Sequence, residues 1–124
     1  QEPWLRAFVD YWNAPGAWDR LSEPARASFR AVAWKLFGEV RSLLSDRTPH
    51  EAYATLAVPT LLMSGETSPL AARRVAAILG DVIPGAHLRT VAGAGHMAPL
   101  THAAEVNGWV VDHIAAATFS PSRP

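Results

Sequence analysis

The sequence predicts an α/β protein whose first half is helical and whose second half is a β-α-β-α segment with two parallel strands. Two observations carry this prediction. Apolar residues recur at three- and four-residue spacings through the first half, which is typical of amphipathic helices. Later, two compact apolar runs flank a helical segment of about a dozen residues, the pattern of parallel strands joined by a right-handed crossover helix.

The first half is expected to contain two main helices. In EPWLRAFVDYW one face carries Leu5, Phe8, Val9 and Trp12. Pro15 and Gly16 then interrupt the helix. The next helix is predicted to begin near Ser22, which can cap it, with Pro24 in its first turn, and to end before the segment SDRTP.

In the second half the apolar residues no longer follow the helical spacing alone, and compact apolar runs occur. AVPTLLMSG predicts a strand buried on both faces, and AHLRTVAG predicts a second strand. The helix between them is expected to be capped by Ser68, with Pro69 at its first position. Its inward stripe would contain Ala72, Val75, Ala76 and Leu79. The final helix is expected from about Thr101 to Ala117, with an apolar face of Val106, Trp109, Val110 and Ile114.

These elements predict three regions: helices over 1–54, a strand-containing segment over 55–118 and a frayed tail over 119–124. Two parallel strands leave both edges of a sheet open, which parallel sheets rarely tolerate. We therefore expect the chain to assemble with another polypeptide or a second copy of itself, or to be the C-terminal part of a longer one.

The composition argues against several classes of protein. With 124 residues, 49% hydrophobic and 18% charged, the chain is long and apolar enough to fold around a core. Its formal net charge of zero gives no support for nucleic-acid binding, and the absence of cysteine excludes disulfides and thiolate sites. No apolar run approaches the roughly 20 residues of a membrane span. We expect a soluble cytoplasmic protein with no membrane partner, no cofactor and no metal.

Two loops are candidates for chemistry, SGETSP after the first strand and GAGHM after the second. Reactive groups of open parallel sheets lie at the carboxyl ends of the strands, and neighbouring strands are about 4.8 Å apart. An acidic side chain could thus meet the imidazole of His96, as in the base half of a nucleophilic triad. The alternative is an ordinary loop histidine.

The segments VPTLLMSG and IPGAHLRTVAGAGHMAPLTHAAEVN resemble the C-terminal half of an α/β-hydrolase. The helical first half, from FVDYWNAPGAW onward, resembles the cap that many members insert over the active site. The resemblance implies a partial α/β-hydrolase fold in which His96 is the catalytic general base. It also implies that the chain donates this histidine to a site completed by the N-terminal half of the same fold.

For the other two members of a triad, the acid and the nucleophile, the sequence offers fewer candidates. The resemblance places an Asp where this chain has Ser68, which cannot carry a negative charge, so the acid would be Glu66 or a residue before Gln1. No GxSxG-like nucleophile elbow occurs, and Ser64 is interpreted as structural. These 124 residues are therefore expected to be inactive alone.

The remaining candidates concern substrate contact. Trp4, Trp12, Trp18 and Trp34 would form an aromatic core between the first helices or an apolar wall over a substrate. The candidate substrate-contacting residues are Trp12, Trp18 and Met97. His50, His87, His102 and His113 are expected to be structural.

Two hypotheses follow. In the first, the chain is a hydrolase segment acting on a small, apolar, ester-like substrate. In the second, it is a non-catalytic interaction or assembly module.

Overall fold

The computed structural model describes residues 1–119, and the chain divides between Thr48 and Pro49 into two compact units. The first unit is helical, with α1 (Glu2–Trp12), the short α2 (Ala17–Arg20) and the long α3 (Glu23–Ser45). Ser22 caps α3 as predicted, because its Oγ accepts a hydrogen bond from the Ala25 N–H at 3.4 Å. Gly16 precedes α2 with φ of 75°, a left-handed conformation that glycine adopts without strain.

The core of the helical unit consists of buried apolar side chains from all three helices. These are Leu5, Val9, Trp18 and Ala33, with Phe8, Phe29 and Leu36 among the residues packed around them. Trp18 and Phe29 meet edge to face with their ring centroids 6.1 Å apart. The predicted amphipathic spacing of α1 is therefore confirmed at Leu5 and Val9.

The carboxylate of Asp10 connects α1 to the start of α2 through two hydrogen bonds. Its Oδ1 accepts from the Trp18 N–H at 2.8 Å, and its Oδ2 accepts from the Gly16 N–H at 3.1 Å. These N–H groups lie at the beginning of α2, where a helix leaves its donors without intrahelical partners. The carboxylate supplies the acceptors that the backbone lacks.

The second unit has the predicted order of strands and helices. A 3-10 helix, His50–Thr55, precedes β1 (Leu61–Gly65), α4 (Leu70–Val82) and β2 (His87–Val91), and α5 (Ala98–Thr101) and α6 (Ala103–Phe119) follow. Within residues 1–119, β1 and β2 form a two-stranded parallel sheet whose register runs from Leu61 opposite His87 to Gly65 opposite Val91. The parallel β-α-β prediction is thus confirmed. The buried cluster beside the sheet contains Val91, Ala94, Ala98 and Val106.

Several details differ from the sequence prediction because the sheet is so narrow. β1 is only half-buried up to Ser64, rather than enclosed on both faces, since two strands shield little surface. For the same reason Val75, predicted to face inward, is 56% exposed, and Ile114 of α6 is also exposed.

Two helix starts also differ. Ser68 does not cap α4, because Pro69 has an extended backbone with ψ of 141° and occupies the cap position, so that the helix begins at Leu70. The predicted final helix is divided at His102, whose φ of −128° leaves the helical region between α5 and α6. α6 reaches Phe119, and the rest of the predicted tail, residues 120–124, lies outside the described part of the chain.

Among residues 1–119, none of the helices combines the length and the apolar character that crossing a membrane requires.

Replacing Leu5 by Ala tests the core of the helical unit. Leu5 is 0% exposed, so Leu5→Ala should lower the free energy of unfolding by about 2–5 kcal/mol. Leu44 is 77% exposed, so the control Leu44→Ala should change it by less than about 0.5 kcal/mol. Urea denaturation followed by circular dichroism gives both values, and equal losses in the two variants would contradict this assignment of the core.

Asp10 predicts a dependence of stability on pH. The pKa of Asp10 lies below its ordinary value of 3.8, first because its carboxylate accepts the Trp18 N–H and then because it accepts that of Gly16, while burial acts in the opposite direction. A depressed pKa stabilises the folded state above 3.8, and this contribution is lost as the pH falls from there toward the lower folded value.

The free energy of unfolding should therefore fall more between about pH 7 and about pH 3 in the wild type than in Asp10→Asn, which has no carboxylate to protonate. Denaturant titrations at the two pH values measure this difference. The same acid-induced loss in both proteins would show that Asp10 does not contribute to it.

Candidate functional site

The two strands end side by side, and the loops that leave them are joined through their backbones. Beyond the last paired residues, Gly65 and Val91, the Glu66 N–H donates to the Val91 carbonyl at 3.0 Å. One residue later, the Thr67 N–H donates to the Ala94 carbonyl at 2.9 Å. The predicted juxtaposition of the SGETSP and GAGHM loops is therefore present at the carboxyl end of the sheet.

Gly65 makes this approach possible. A Cβ atom at Gly65 would lie 2.3 Å from the carbonyl oxygen of Gly95 and 2.5 Å from that of Ala94, distances that no real side chain tolerates. Gly93 turns the second loop with φ of 67°, in the left-handed region that favours glycine. The position of the histidine loop thus depends on two glycines, one in each loop.

A hollow of about 330 Å³ opens where the two loops meet. His96 and Ser68 contribute to its wall together with apolar side chains from the sheet and helices, including Ala72, Val91 and Val106. His96 is exposed overall, whereas Ser68 is only 4% exposed. The imidazole therefore borders a small, largely apolar space at the sheet edge where the sequence predicted chemistry.

Glu66, the candidate acid, has a different environment. Its side chain is exposed, and its Oε2 accepts a hydrogen bond from the Gly93 N–H at 2.7 Å. None of the described residues that line the hollow is an aspartate or a glutamate. Glu66 thus lies in the predicted loop, with one carboxylate oxygen bonded to the backbone of the histidine loop.

Ser68 occupies the position where the resemblance implies an acid. Its N–H donates to the Gly65 carbonyl at 3.0 Å, and its own carbonyl accepts from Arg73 Nε at 3.0 Å. These two bonds to the Ser68 backbone, one from a side chain, fix the turn between β1 and α4. Ser64 also borders the hollow, from within β1 and opposite Thr90 in the register.

The proposed substrate-contacting residues have distinct surroundings. Met97 is partly exposed at the start of α5, where its carbonyl accepts from the Leu100 N–H at 2.9 Å. In the helical unit Trp12 is half-buried and its ring centroid lies 6.4 Å from that of Phe8. Trp18 is completely buried, so its ring presents no surface to a substrate and instead forms the centre of that unit's core.

The other histidines have local partners. His50 is 3.2 Å from the carboxylate of Glu51, His102 Nδ1 is 2.8 Å from the hydroxyl of Thr101, and His113 Nε2 is 3.3 Å from the carbonyl of Pro59. His87 is exposed at the opposite, amino-terminal end of β2. Among residues 1–119 no group of three or more histidine, aspartate or glutamate side chains is arranged to hold a metal ion.

Thr67 is a site residue that the sequence reasoning missed. Its hydroxyl donates to the Ala94 carbonyl at 3.0 Å, the same oxygen that its backbone N–H contacts. The signal available in the sequence was its position between Glu66 and Ser68 in a loop already identified. A threonine in a turn has many possible partners, so the sequence did not indicate this one.

Comparison with known proteins shows the fold. The chain matches no protein-family model and no curated protein sequence. It is similar to the crystal structure of a meta-cleavage product hydrolase (CumD, A129V variant), with a TM-score of 0.63 and 22% identity. The similarity covers 91% of this chain but 45% of that one. The chain therefore has a partial α/β-hydrolase fold and spans less than half the length of that solved protein.

Replacing Gly65 by Ala tests the close contact of the two loops. The added methyl group must displace the backbone at Gly95, so Gly65→Ala should lower the free energy of unfolding by about 1–3 kcal/mol. A matched control is Gly108→Ala in α6, where no described atom beyond the chain neighbours and the adjacent backbone of the helix lies within 4 Å of the new Cβ. Because alanine favours helix, Gly108→Ala should raise the free energy of unfolding by up to about 1 kcal/mol. Denaturant unfolding measures both changes, and a Gly65→Ala protein as stable as the wild type would exclude the contact.

Proposed function

We propose that this chain is a segment of an α/β-hydrolase and that it supplies His96 as the catalytic general base. The observation that carries the proposal is the place of His96, beside a hollow at the carboxyl end of two parallel strands. In open parallel sheets this is the edge at which ligands bind. The solved structure with the same fold is that of a hydrolase, which agrees with hydrolysis as the reaction class.

In this proposal His96 takes the proton of a nucleophile as it attacks the substrate, and then donates that proton to the leaving group. The nucleophile is outside these 124 residues, because the chain has no GxSxG-like elbow. The chain alone would then be inactive. The rest of the sheet, whether from the same polypeptide or from another chain, would provide the nucleophile and the groups that stabilise the oxyanion.

The proposed substrate is a small, apolar, ester-like molecule. The hollow beside His96 holds about 330 Å³ and is bordered mainly by apolar side chains, which suits a small apolar group. Met97 and Trp12 remain proposed substrate contacts, since both have partly accessible side chains. Trp18 supports the helical unit from within.

The alternative proposal is an interaction or assembly module without catalysis. Ser68 favours it, because a serine replaces the acid that the resemblance implies. The absence of hydrolysis by the complete protein would favour this second proposal.

Hydrolysis of p-nitrophenyl esters by the full-length protein containing this segment tests the proposal. Loss of the general base in His96→Ala should lower kcat/KM by about 10²–10⁴-fold or more. His87→Ala is the control, since His87 is an exposed histidine at the far end of β2 and should leave kcat/KM unchanged. Circular dichroism checks that both variants fold. A folded His96→Ala protein that hydrolyses the esters at the wild-type rate would remove His96 from the mechanism.

A further inference from the structure

Four hydrogen bonds join residues 66 and 67 to the loop that carries His96. Two come from the backbone N–H groups of Glu66 and Thr67, which donate to the carbonyls of Val91 and Ala94. The other two come from side chains: the Glu66 carboxylate accepts from the Gly93 N–H at 2.7 Å, and the Thr67 hydroxyl donates to the Ala94 carbonyl at 3.0 Å. The backbone bonds are open to any residue except proline, whereas the side-chain bonds require an acceptor side chain at position 66 and a donor side chain at position 67.

The hydrogen bond between Glu66 and the Gly93 N–H lies at the turn that leads to His96. Gly93 has φ of 67°, and His96 follows three residues later. A carboxylate that accepts a backbone N–H forms a charge-assisted bond, which is stronger than a bond between neutral groups. Glu66 therefore fixes the turn from which the histidine loop departs, and Thr67 fixes the next residue.

We infer that Glu66 and Thr67 are positioning residues whose side-chain hydrogen bonds hold the backbone of the His96 loop. This inference rests on the proposed function, because it gives these two residues a role in the reaction that His96 would catalyse.

The surroundings of Glu66 argue for positioning. The acid of a nucleophilic triad is buried, where its charge acts on the imidazole through a low dielectric. Glu66 is exposed, and its carboxylate accepts the N–H of Gly93, the residue that turns the histidine loop. Water around an exposed carboxylate weakens its electrostatic effect, but leaves its hydrogen bond to Gly93 able to restrain the loop.

The two roles predict different effects of removing the charge. In a triad, replacing the acid by its amide lowers kcat by about 10⁴-fold. Glutamine keeps a carbonyl oxygen that can accept the Gly93 N–H, so a positioning role predicts that Glu66→Gln stays within about threefold of the wild type. Glu66→Ala removes the acceptor and should lower kcat by about 10–100-fold, the range associated with displacement of a catalytic group by a fraction of an ångström to one ångström.

Thr67 offers a second, independent pair of variants. Thr67→Ser keeps the hydroxyl that donates to Ala94 and should retain most of the activity. Thr67→Val keeps the shape but removes the donor, so kcat should fall by about tenfold while the protein remains folded. Glu105→Ala is the matched control for the glutamate variants, because Glu105 is an exposed glutamate in the first turn of α6.

The experiment measures kcat, KM and the pH profile of p-nitrophenyl ester hydrolysis for all five variants in the full-length protein. Positioning is supported if Glu66→Gln rescues the loss caused by Glu66→Ala and leaves the midpoint of the pH profile where it is in the wild type. It is overturned if Glu66→Gln is as damaging as Glu66→Ala or displaces that midpoint, because then the charge itself is needed.

Hydrogen exchange of the Gly93 amide separates this inference from the proposed function. Measured by NMR on protein labelled with ¹⁵N-glycine, exchange should be about tenfold faster in Glu66→Ala than in the wild type, and near the wild-type rate in Glu66→Gln. If no ester is hydrolysed, the proposed function fails while this measurement still decides whether Glu66 holds the loop. Equal exchange in the wild type and Glu66→Ala would overturn the inference.

Discussion

Gly65 ends β1 with no side chain between its backbone and the carbonyl groups of Ala94 and Gly95, and the second unit is organised around this approach. Because the two backbones touch, hydrogen bonds continue past the last paired residues of the sheet and bind the loops to each other. The loop of His96 is then fixed relative to β1 although most of its own side chains are exposed. A small hollow with an imidazole in its wall follows from this backbone arrangement.

The helical unit relies on a different source of order. Its core is aromatic and aliphatic, with Trp18 completely buried, and Asp10 supplies acceptors where the backbone of α2 has none. Burial of apolar surface stabilises this unit, while one carboxylate fixes the junction of two helices. In the second unit the described residues form a sheet of two strands, and hydrogen bonds between the loops add to the order that the buried cluster beside the sheet provides.

The sequence predicted the positions of the helices and strands better than the exposure and capping of their residues. Helical spacing located α1 and α3, and the apolar runs located both strands, because these patterns depend on neighbours along the chain. The exposure of Val75 depends on the width of the sheet, and the cap of α4 depends on the conformation of Pro69. For the site, glycines and a histidine at a strand end indicated the correct edge, but which atoms Glu66 and Thr67 contact is set by residues 27 positions away.

The position of the Glu66 carboxylate relative to Ser68 bears on which groups of the proposed site this chain supplies. Ser68 lies at the hollow and carries no charge. The carboxylate of Glu66 instead accepts a hydrogen bond from the Gly93 N–H. An imidazole that accepts a proton during catalysis needs a carboxylate to stabilise the cation. In the proposed site, residues 1–119 would contribute the base and the hydrogen bonds that hold its loop, and the nucleophile would come from the remaining part of the fold.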